Sequence, residues 1–461
     1  MQRWMQNCLS LHASKTLFPS ISYDHLRQMM EKQKEEYQIM NQKKIYPQQR
    51  VLLSEPNSPI LLAKMGALWE QNAIPCLLSP SMNRPNREHC ISLLQKEPYG
   101  QQQEALILFT SGTSSLPKGV VLSHTNLTSQ LEMLHQHIPM NLLHDHSRSV
   151  ALLPWTHCYG LIGECLMMMQ RGGSLSPLPK FNIFHYLWAI QQQQPTTLFM
   201  VPYLIETMYK MYSSLPFRCP PSWFFGNSLE YIVSGGAYLC PEIKKKVWEE
   251  MGIPILEGYG CTEMSPMISV QTEFSMTDTS VGTLLSKVEC EIREKEIYVR
   301  GPNRFLHYLP SDNTSNNISN NTSNNTSNLW YGTGDYGYVK ENKLYLIGRN
   351  SDVIKLKNGR FFRLKEVEDF LFQYFRQTMG DVLLEKVVAW QHPTKKTIGA
   401  TLFYSNPNHF PSFGKLQDMT FQHQNIELFL ASSKMLCVTT GWRTMKGEIC
   451  RYEIAKYFRT F

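Results

Sequence analysis

The stretch "ILFTSGTSSLPKGVVLSH", Ile107 to His124, decides how this chain is read. An apolar strand runs into Thr110, Ser111, Gly112, Thr113, Ser114 and Ser115, and Pro117, Lys118 and Gly119 follow. Small hydroxyl residues and glycine let backbone N–H groups close around phosphate oxygens, and a lysine adds a point charge. The same composition also suits an ordinary Ser/Thr/Gly-rich turn. A Walker A loop needs G-x-x-x-x-G-K-[ST]. Here the order is Lys118-Gly119, which excludes that class of nucleotide loop.

Outward from the loop, strands alternate with amphipathic helices. Residues 51–65, "VLLSEPNSPILLAKM", read as a strand, a turn at Pro56-Asn57 and the start of a helix, and 74–80, "IPCLLSP", as the next strand. "GGSLSPLP" leads to a helix near 182–192 and then the strand "TTLFMVP". "LEYIVSGG" leads to a helix from Pro241 to about Met251 and the strand "PILEGYG". Pro241 suits a first helical turn and Gly252 a C-terminal cap. The rhythm predicts an α/β fold with parallel sheets. After about residue 270, the short strands "CEIREKEIYVRG" and "KLYLIG" predict an antiparallel β subdomain. Between them "NTSNNISNNTSNNTSN", Asn313 to Asn328, has almost no apolar residue, so a disordered surface loop is expected over about 311–328. Its N-x-S triplets at Asn313, Asn317, Asn321 and Asn325 are read as compositional. From about 353 a separate α+β segment follows, with "LKEVEDFLFQYFRQ" as an amphipathic helix.

The 461 residues imply two or three domains, one of them large. A formal charge of +7 without a clustered basic stripe argues against nucleic acid as a partner. Eleven cysteines without a C-x-x-C pair argue against a disulfide framework or structural zinc, and for a reducing compartment. "MQRWMQNCLSLHASK" has no apolar core of signal-peptide length, and the most apolar stretch, "CYGLIGECLMMMQ", holds Glu164 and falls short of a bilayer span. A soluble, cytoplasmic protein is expected, with peripheral membrane contact left open.

The order T-S-G-T-x-x-x-P-K-G-V at 110–120 resembles the signature of adenylate-forming enzymes: acyl-CoA synthetases, luciferases and peptide-synthetase adenylation domains. Ser115 stands where that signature usually has glycine. The resemblance extends through "LLPWTHCYGL", "EYIVSGGAYL", "EGYGCTEMSP", "YGTGDYGYV" and "GRNSDVIKLKNGRFFRLKEVE", in family order from about residue 20 to 451. It implies an ATP- and acid-binding domain over 1–348, a hinge at 349–352 and a small mobile C-terminal domain over 353–461.

Each matched residue then acquires an implied role. The loop at Thr110, Ser111, Gly112, Thr113 and Lys118 would hold the β- and γ-phosphates of ATP. Gly235, Gly236 and Ala237 would lie against adenine, with Tyr259 stacked on it. Thr262 would contact the α-phosphate and Glu263 would coordinate Mg²⁺, a cation that prefers hard oxygen ligands. Asp335 would accept hydrogen bonds from the ribose hydroxyls, and Arg349 would support the ribose. His157 would stand beside the acyl pocket. Ser351 occupies the hinge position, and Gly359 would line a thiol tunnel. The implied reaction is that of an acid–thiol ligase, forming an acyl-adenylate and then a thioester, with a fatty acid and CoA as the leading substrates. Two alternatives stay open. One is a ligase for an acyl-carrier protein, docked on Lys355, Lys357, Arg360, Arg363 and Lys365. The other is a nucleotide-binding protein that has lost adenylation.

Two departures qualify the match. Only about 25 residues separate Pro80 from the phosphate loop, where the family usually has another βαβ unit. Near the end, "RTMKGEICR", Arg443 to Arg451, aligns with the family pattern P-[KR]-T-x-x-G-K-I-x-R through Arg443, Thr444, Gly447, Ile449 and Arg451. That register puts Glu448 on the catalytic lysine, which bridges carboxylate and α-phosphate. A looser T-x-K form, found in some long-chain acyl-CoA synthetases, chooses Lys446 instead. Residues i and i+2 of an extended segment share a side about 6.6 Å apart, so Lys446 is the candidate substitute.

Overall fold

The computed structural model describes residues 1–40, 45–110, 116–217, 219–310 and 329–349, and then 353–355, 361–363, 368, 384–391, 398–404, 421–423 and 426–428. The repeat at 311–328, the hinge residue Ser351, Gly359, most of the helix expected at 364–377, Lys446 and Glu448 lie outside the described residues. The chain divides into two compact units. The larger holds 1–110, 116–333 and 337–346; the smaller holds 111–115, 334–336 and 347–461.

In chain order, the main strands begin with β1 (Arg50–Leu53), β2 (Ile74–Leu77), β3 (Glu104–Thr110), β4 (Lys118–Ser123), β5 (Thr197–Met200), β6 (Tyr231–Ser234) and β7 (Ile255–Gly260). They continue with β8 (Met267–Val270), β9 (Thr283–Leu284), β10 (Glu289–Arg293), β11 (Glu296–Arg300), β12 (His307–Leu309), β13 (Tyr331–Lys340) and β14 (Lys343–Arg349). The helices used below are α1 (Pro59–Glu70), α2 (His124–His137), α3 (Ile183–Gln193), α4 (Pro202–Ser213) and α5 (Pro241–Met251).

One sheet has the order β12-β4-β3-β2-β1. Its strands β1, β2 and β3 run parallel, as the strand–helix rhythm predicts. The step from β3 to β4 is antiparallel, with Thr110 opposite Lys118. Only Ser111 to Pro117 separate the two strands, and a parallel return needs a crossover of about a dozen residues or more. Strands β3 and β4 therefore pair antiparallel across this short connection.

The second sheet has the order β10-β11-β13-β14-β9-β8-β7-β6-β5. Here β5, β6 and β7 are parallel. The expected antiparallel β region is hydrogen-bonded onto this sheet. Strand β7 changes partner part-way: Ile255, Leu256 and Glu257 pair with β6, and Gly258, Tyr259 and Gly260 pair antiparallel with β8, with a register shift between Tyr259 and Gly260. A Cβ at Gly260 would overlap the Pro266 carbonyl oxygen, so only glycine fits there.

Local signals set the helix ends. Pro241 opens α5, and Gly252 closes it at φ +69° with open space around its α-carbon, so the requirement for glycine is conformational. Ser123 and Asn126 form a reciprocal capping box on α2. The Asn126 amide also donates to the carbonyls of Pro302 and Arg304, tying α2 to the approach to β12. The apolar run at 159–171 forms a π-helix, Tyr159–Leu166, continuing into Met167–Arg171; its residues from Gly160 to Met169 are buried. Among the described residues no helix is long and apolar enough to cross a membrane.

In the smaller unit, Val353–Lys355 pairs antiparallel with Phe361–Arg363. A four-stranded mixed sheet follows in the order Leu384–Gln391, Ile398–Tyr404, Ile426–Leu428, Phe421–His423. Glu368 is buried.

Candidate active site

The hairpin brings Lys118 to the rim of the first sheet, next to β12. Tyr308 of β12 pairs with Val120 of β4, and the Lys118 ammonium lies 5.1 Å from the centre of the Tyr308 ring. The Tyr308 hydroxyl donates to Glu263 Oε1 at 2.8 Å and lies 3.4 Å from the Tyr331 hydroxyl. Phe305 packs beside both rings, at 4.7 Å from Tyr308 and 5.6 Å from Tyr331. One phenol thus connects the loop lysine to the glutamate. Burial and then the Glu263 charge push the Tyr308 hydroxyl above its ordinary range; burial, Cys261 and Glu263 do the same to Tyr331. Both remain protonated donors at neutral pH.

Glu263 reaches this position because β7 ends at Gly260 and a single 3₁₀ turn, Thr262–Met264, follows. The turn is fixed on several sides. The Glu263 carbonyl accepts from the Phe305 N–H at 2.8 Å. The Ser265 hydroxyl donates to the Asn303 carbonyl, and the Asn303 amide donates to the carbonyls of Met264 and Met267. Thr262 Oγ1 lies 3.3 Å from Cys158 Sγ, so the turn touches the segment carrying His157. That segment is held by buried Asn57, which donates to the Leu153 carbonyl and accepts from the Trp155 N–H, both at 2.8 Å. The His157 N–H donates to the Pro154 carbonyl at 3.0 Å.

Gly235, Gly236 and Ala237 follow β6, with Gly236 at φ +82°. A Cβ at Gly235 would stand 3.2 Å from the Tyr159 ring, whose hydroxyl donates to the Val233 carbonyl at 2.9 Å. Tyr259 is 7% exposed and packs in the main core. Thr110 is the last residue of β3; Ser111, Gly112 and Thr113 lie outside the described residues. Asp335 and Arg349 belong to the smaller unit and pair with each other, Nε to Oδ1 at 3.4 Å.

Sequence reasoning missed Tyr308, Tyr331 and Phe305. Along β12 Tyr308 alternates with buried Leu309, and the two side chains pack against different apolar clusters. Their meeting with Glu263 depends on the pairing of β12 with β4, which no local pattern states.

The site's donor set was tested for Mg²⁺. Among the described residues no group of three or more His, Cys, Asp or Glu side chains gathers to hold a metal. Glu263 offers a single carboxylate. That fits magnesium, which is usually held by one or two carboxylates together with substrate phosphates and water.

Residues 93–309 match the family described as "AMP-binding enzyme". This part of the chain is similar to AMP-binding enzymes. Among curated relatives, the probable 4-coumarate–CoA ligase 2 of Dictyostelium discoideum is 29% identical over 272 residues, 56% of this chain and 47% of the relative. Long-chain-fatty-acid–CoA ligase 1 of Schizosaccharomyces pombe is 27% identical over 331 residues, 60% of this chain and 48% of the relative. The chain thus spans about half the length of the curated relatives it matches. Among solved structures, the anthranilate CoA ligase AuaEII in complex with anthranoyl-AMP superposes with a TM-score of 0.77 at 16% identity, covering 100% of this chain and 98% of that one. MenE from Bacillus subtilis, in complex with ATP and magnesium ion, gives 0.73 at 19% identity, over 97% and 98% of the two chains. At these identities the structural likeness shows the α/β fold alone.

Proposed function

We propose that the chain is an ATP-dependent acid–thiol ligase. It converts a carboxylic acid and ATP to an acyl-adenylate and pyrophosphate, then passes the acyl group to the thiol of CoA, releasing AMP. The observation that supports this most is the meeting of Lys118 and Glu263 around the Tyr308 phenol. A phosphate chain needs fixed positive charge on one side and a cation-holding carboxylate on the other. Lys118 supplies the first at the base of the hairpin. Glu263 would hold Mg²⁺, which when bound neutralises phosphate charge. Tyr308 orients that carboxylate by donating to Oε1, and its raised pKa keeps it a donor.

The remaining roles follow the same reading. Thr262 contacts the α-phosphate, the backbone at Gly235–Ala237 lies along adenine, and Tyr259 borders it. Asp335 accepts from the ribose hydroxyls while Arg349 holds its carboxylate. The division of labour is 1–348 for ATP and acid, 349–352 as hinge, and 353–461 as the mobile domain. Lys446 does the work that the usual register assigns to 448. The acid is apolar, with a fatty acid as leading candidate. His157 would stand beside the acyl pocket.

The test is carboxylate-dependent ATP–pyrophosphate exchange on the full chain with a series of acids. Wild type should exchange, and Glu263→Gln and Lys446→Ala should each lose about 100-fold or more. Full activity in Lys446→Ala would sink the substitute-lysine assignment. Glu448 favours a second reading, a nucleotide-binding protein that has lost adenylation. An inert wild type that gains exchange through Glu448→Lys would establish it. Comparing CoA with an acyl-carrier protein as acceptor separates the two thiol substrates.

A further inference from the structure

One face of the larger unit carries large aromatic side chains that the core does not cover. On α3, Phe184, Trp188 and Gln191 fall on a single stripe, four and three residues apart. The opposite face of α3 buries Tyr186, Ala189 and Ile190. The Gln191 amide donates to the carbonyls of Ser222 at 2.7 Å and Trp223 at 3.0 Å, which lays the end of the stripe against the short helix Ser222–Phe225. Trp223 meets Phe217 edge-on, with ring centres 6.3 Å apart. The patch is therefore continuous across two segments. Phe184, Trp188, Trp223 and Phe217 are 71%, 65%, 60% and 56% exposed, an arrangement that a soluble surface rarely leaves without purpose.

The segment that carries the patch is mostly basic. Between Glu164 and Glu230 the sequence has a single carboxylate, Glu206, against Arg171, Lys180, Lys210 and Arg218. Lys180 stands just before α3 and Lys210 lies in the last turn of α4; both are exposed. The end of α4 is tied to the aromatic segment. The Tyr212 hydroxyl donates to the Cys219 carbonyl at 3.2 Å, and its ring meets Phe224 at 5.7 Å. Lysines thus flank the aromatic side chains at both ends.

We propose that this face docks on an anionic lipid bilayer, with the four aromatic side chains in the interfacial region and Lys180 and Lys210 against the headgroups. Tryptophan and phenylalanine beside lysine are the side chains that settle at a membrane interface. The basic excess of this segment, with Lys180 and Lys210 exposed, complements a negative leaflet. The contact is peripheral and does not depend on the ligase reading.

The test is co-sedimentation of the full chain with vesicles of phosphatidylcholine alone and of phosphatidylcholine mixed with phosphatidylglycerol. Wild type should sediment with the mixed vesicles and be released by salt. The double variant Phe184→Ser/Trp188→Ser should lose about tenfold or more of its partitioning, as should Lys180→Gln/Lys210→Gln. Thermal unfolding should be unchanged in both, since these side chains are exposed. The proposal is overturned if wild type stays in the supernatant with both vesicle types, or if the aromatic variant sediments like wild type. Self-association abolished by the same variants, without vesicle binding, would assign the face to a second copy and also overturn it. Vesicle binding with no ATP–pyrophosphate exchange would leave this proposal standing and remove the ligase reading alone.

Discussion

Glu104 in the first sheet and Glu164 in the π-helix are both buried glutamates of the larger unit, and their surroundings treat them in opposite ways. Glu104 meets the Arg50 guanidinium through Nε at 3.2 Å and Nη2 at 2.9 and 3.0 Å, with both side chains within 2% of full burial. Arg50 also donates to the Glu97 carbonyl and carboxylate. Glu164 has one partner, the Ser149 hydroxyl at 2.7 Å on Oε1; its Oε2 has no hydrogen-bond partner among the described residues. Burial pushes the Glu164 carboxyl up to about 8, with the Ser149 hydrogen bond pulling the other way. A fork of donors meets the first carboxylate, while a single hydroxyl meets the second, which burial drives toward its protonated form. Lys244 repeats the first solution: its ammonium donates to Glu257, Gln271 and the Asp278 carbonyl, all within 3.1 Å.

The largest expected effect comes from breaking the paired case. Arg50→Met leaves Glu104 buried without its guanidinium, with only the His307 ring nearby at 3.9 Å, and should cost about 3–5 kcal/mol in urea unfolding. Arg50→Met/Glu104→Leu should recover most of that loss. A single variant as stable as wild type would erase the contrast.

Glu164 should make stability depend on pH. It binds its proton more tightly folded than unfolded. Its stabilising contribution is whole below about 4.5 and declines as pH rises through about 8. By pH 7 the loss is on the order of 3 kcal/mol. Glu164→Gln has nothing to titrate, so its stability relative to wild type should climb steadily from pH 5 to 8. Parallel stability profiles for the two proteins would refute the assignment. Ser149→Ala should cost less, about 1–2 kcal/mol. It should also move the ionisation of Glu164 to still higher pH, read as a further shift in the same profile.

Glu263 is an intermediate case, a carboxylate at the site with one phenol donor. Tyr308→Phe should leave the fold intact and lower exchange about fivefold to tenfold, the effect of one neutral hydrogen bond. If the loss matches that of Glu263→Gln, the phenol does more than orient the carboxylate.

Much of this arrangement was legible from local chemistry. Pro241 and Gly252 bound a helix because one lacks an N–H and the other tolerates positive φ, and both facts are written in the residues. The order T-S-G-T-x-x-x-P-K-G marks the loop for the same reason. Strand direction was less legible. The rhythm around β3 reads as parallel, yet the short link to β4 forces a hairpin. The antiparallel strands after 270 read as a separate subdomain, yet β7 carries them on the same sheet. The Lys118–Tyr308–Glu263 cluster was invisible because its members come from three segments brought together only by sheet order. Glu164 was visible as an oddity in an apolar run, but its protonation depends on what surrounds it in three dimensions.

The change of partner within β7 has a mechanical consequence. A strand hydrogen-bonded to β6 in its first half and to β8 in its second is a splice, and a splice transmits displacement where a loop would absorb it. Thr262 and Glu263 begin two residues beyond it, past a glycine that no other residue can replace. Their position is therefore referenced to the parallel and the antiparallel parts of the sheet at once. Any strain that shifts one part against the other must appear first at the residues proposed to grip phosphate.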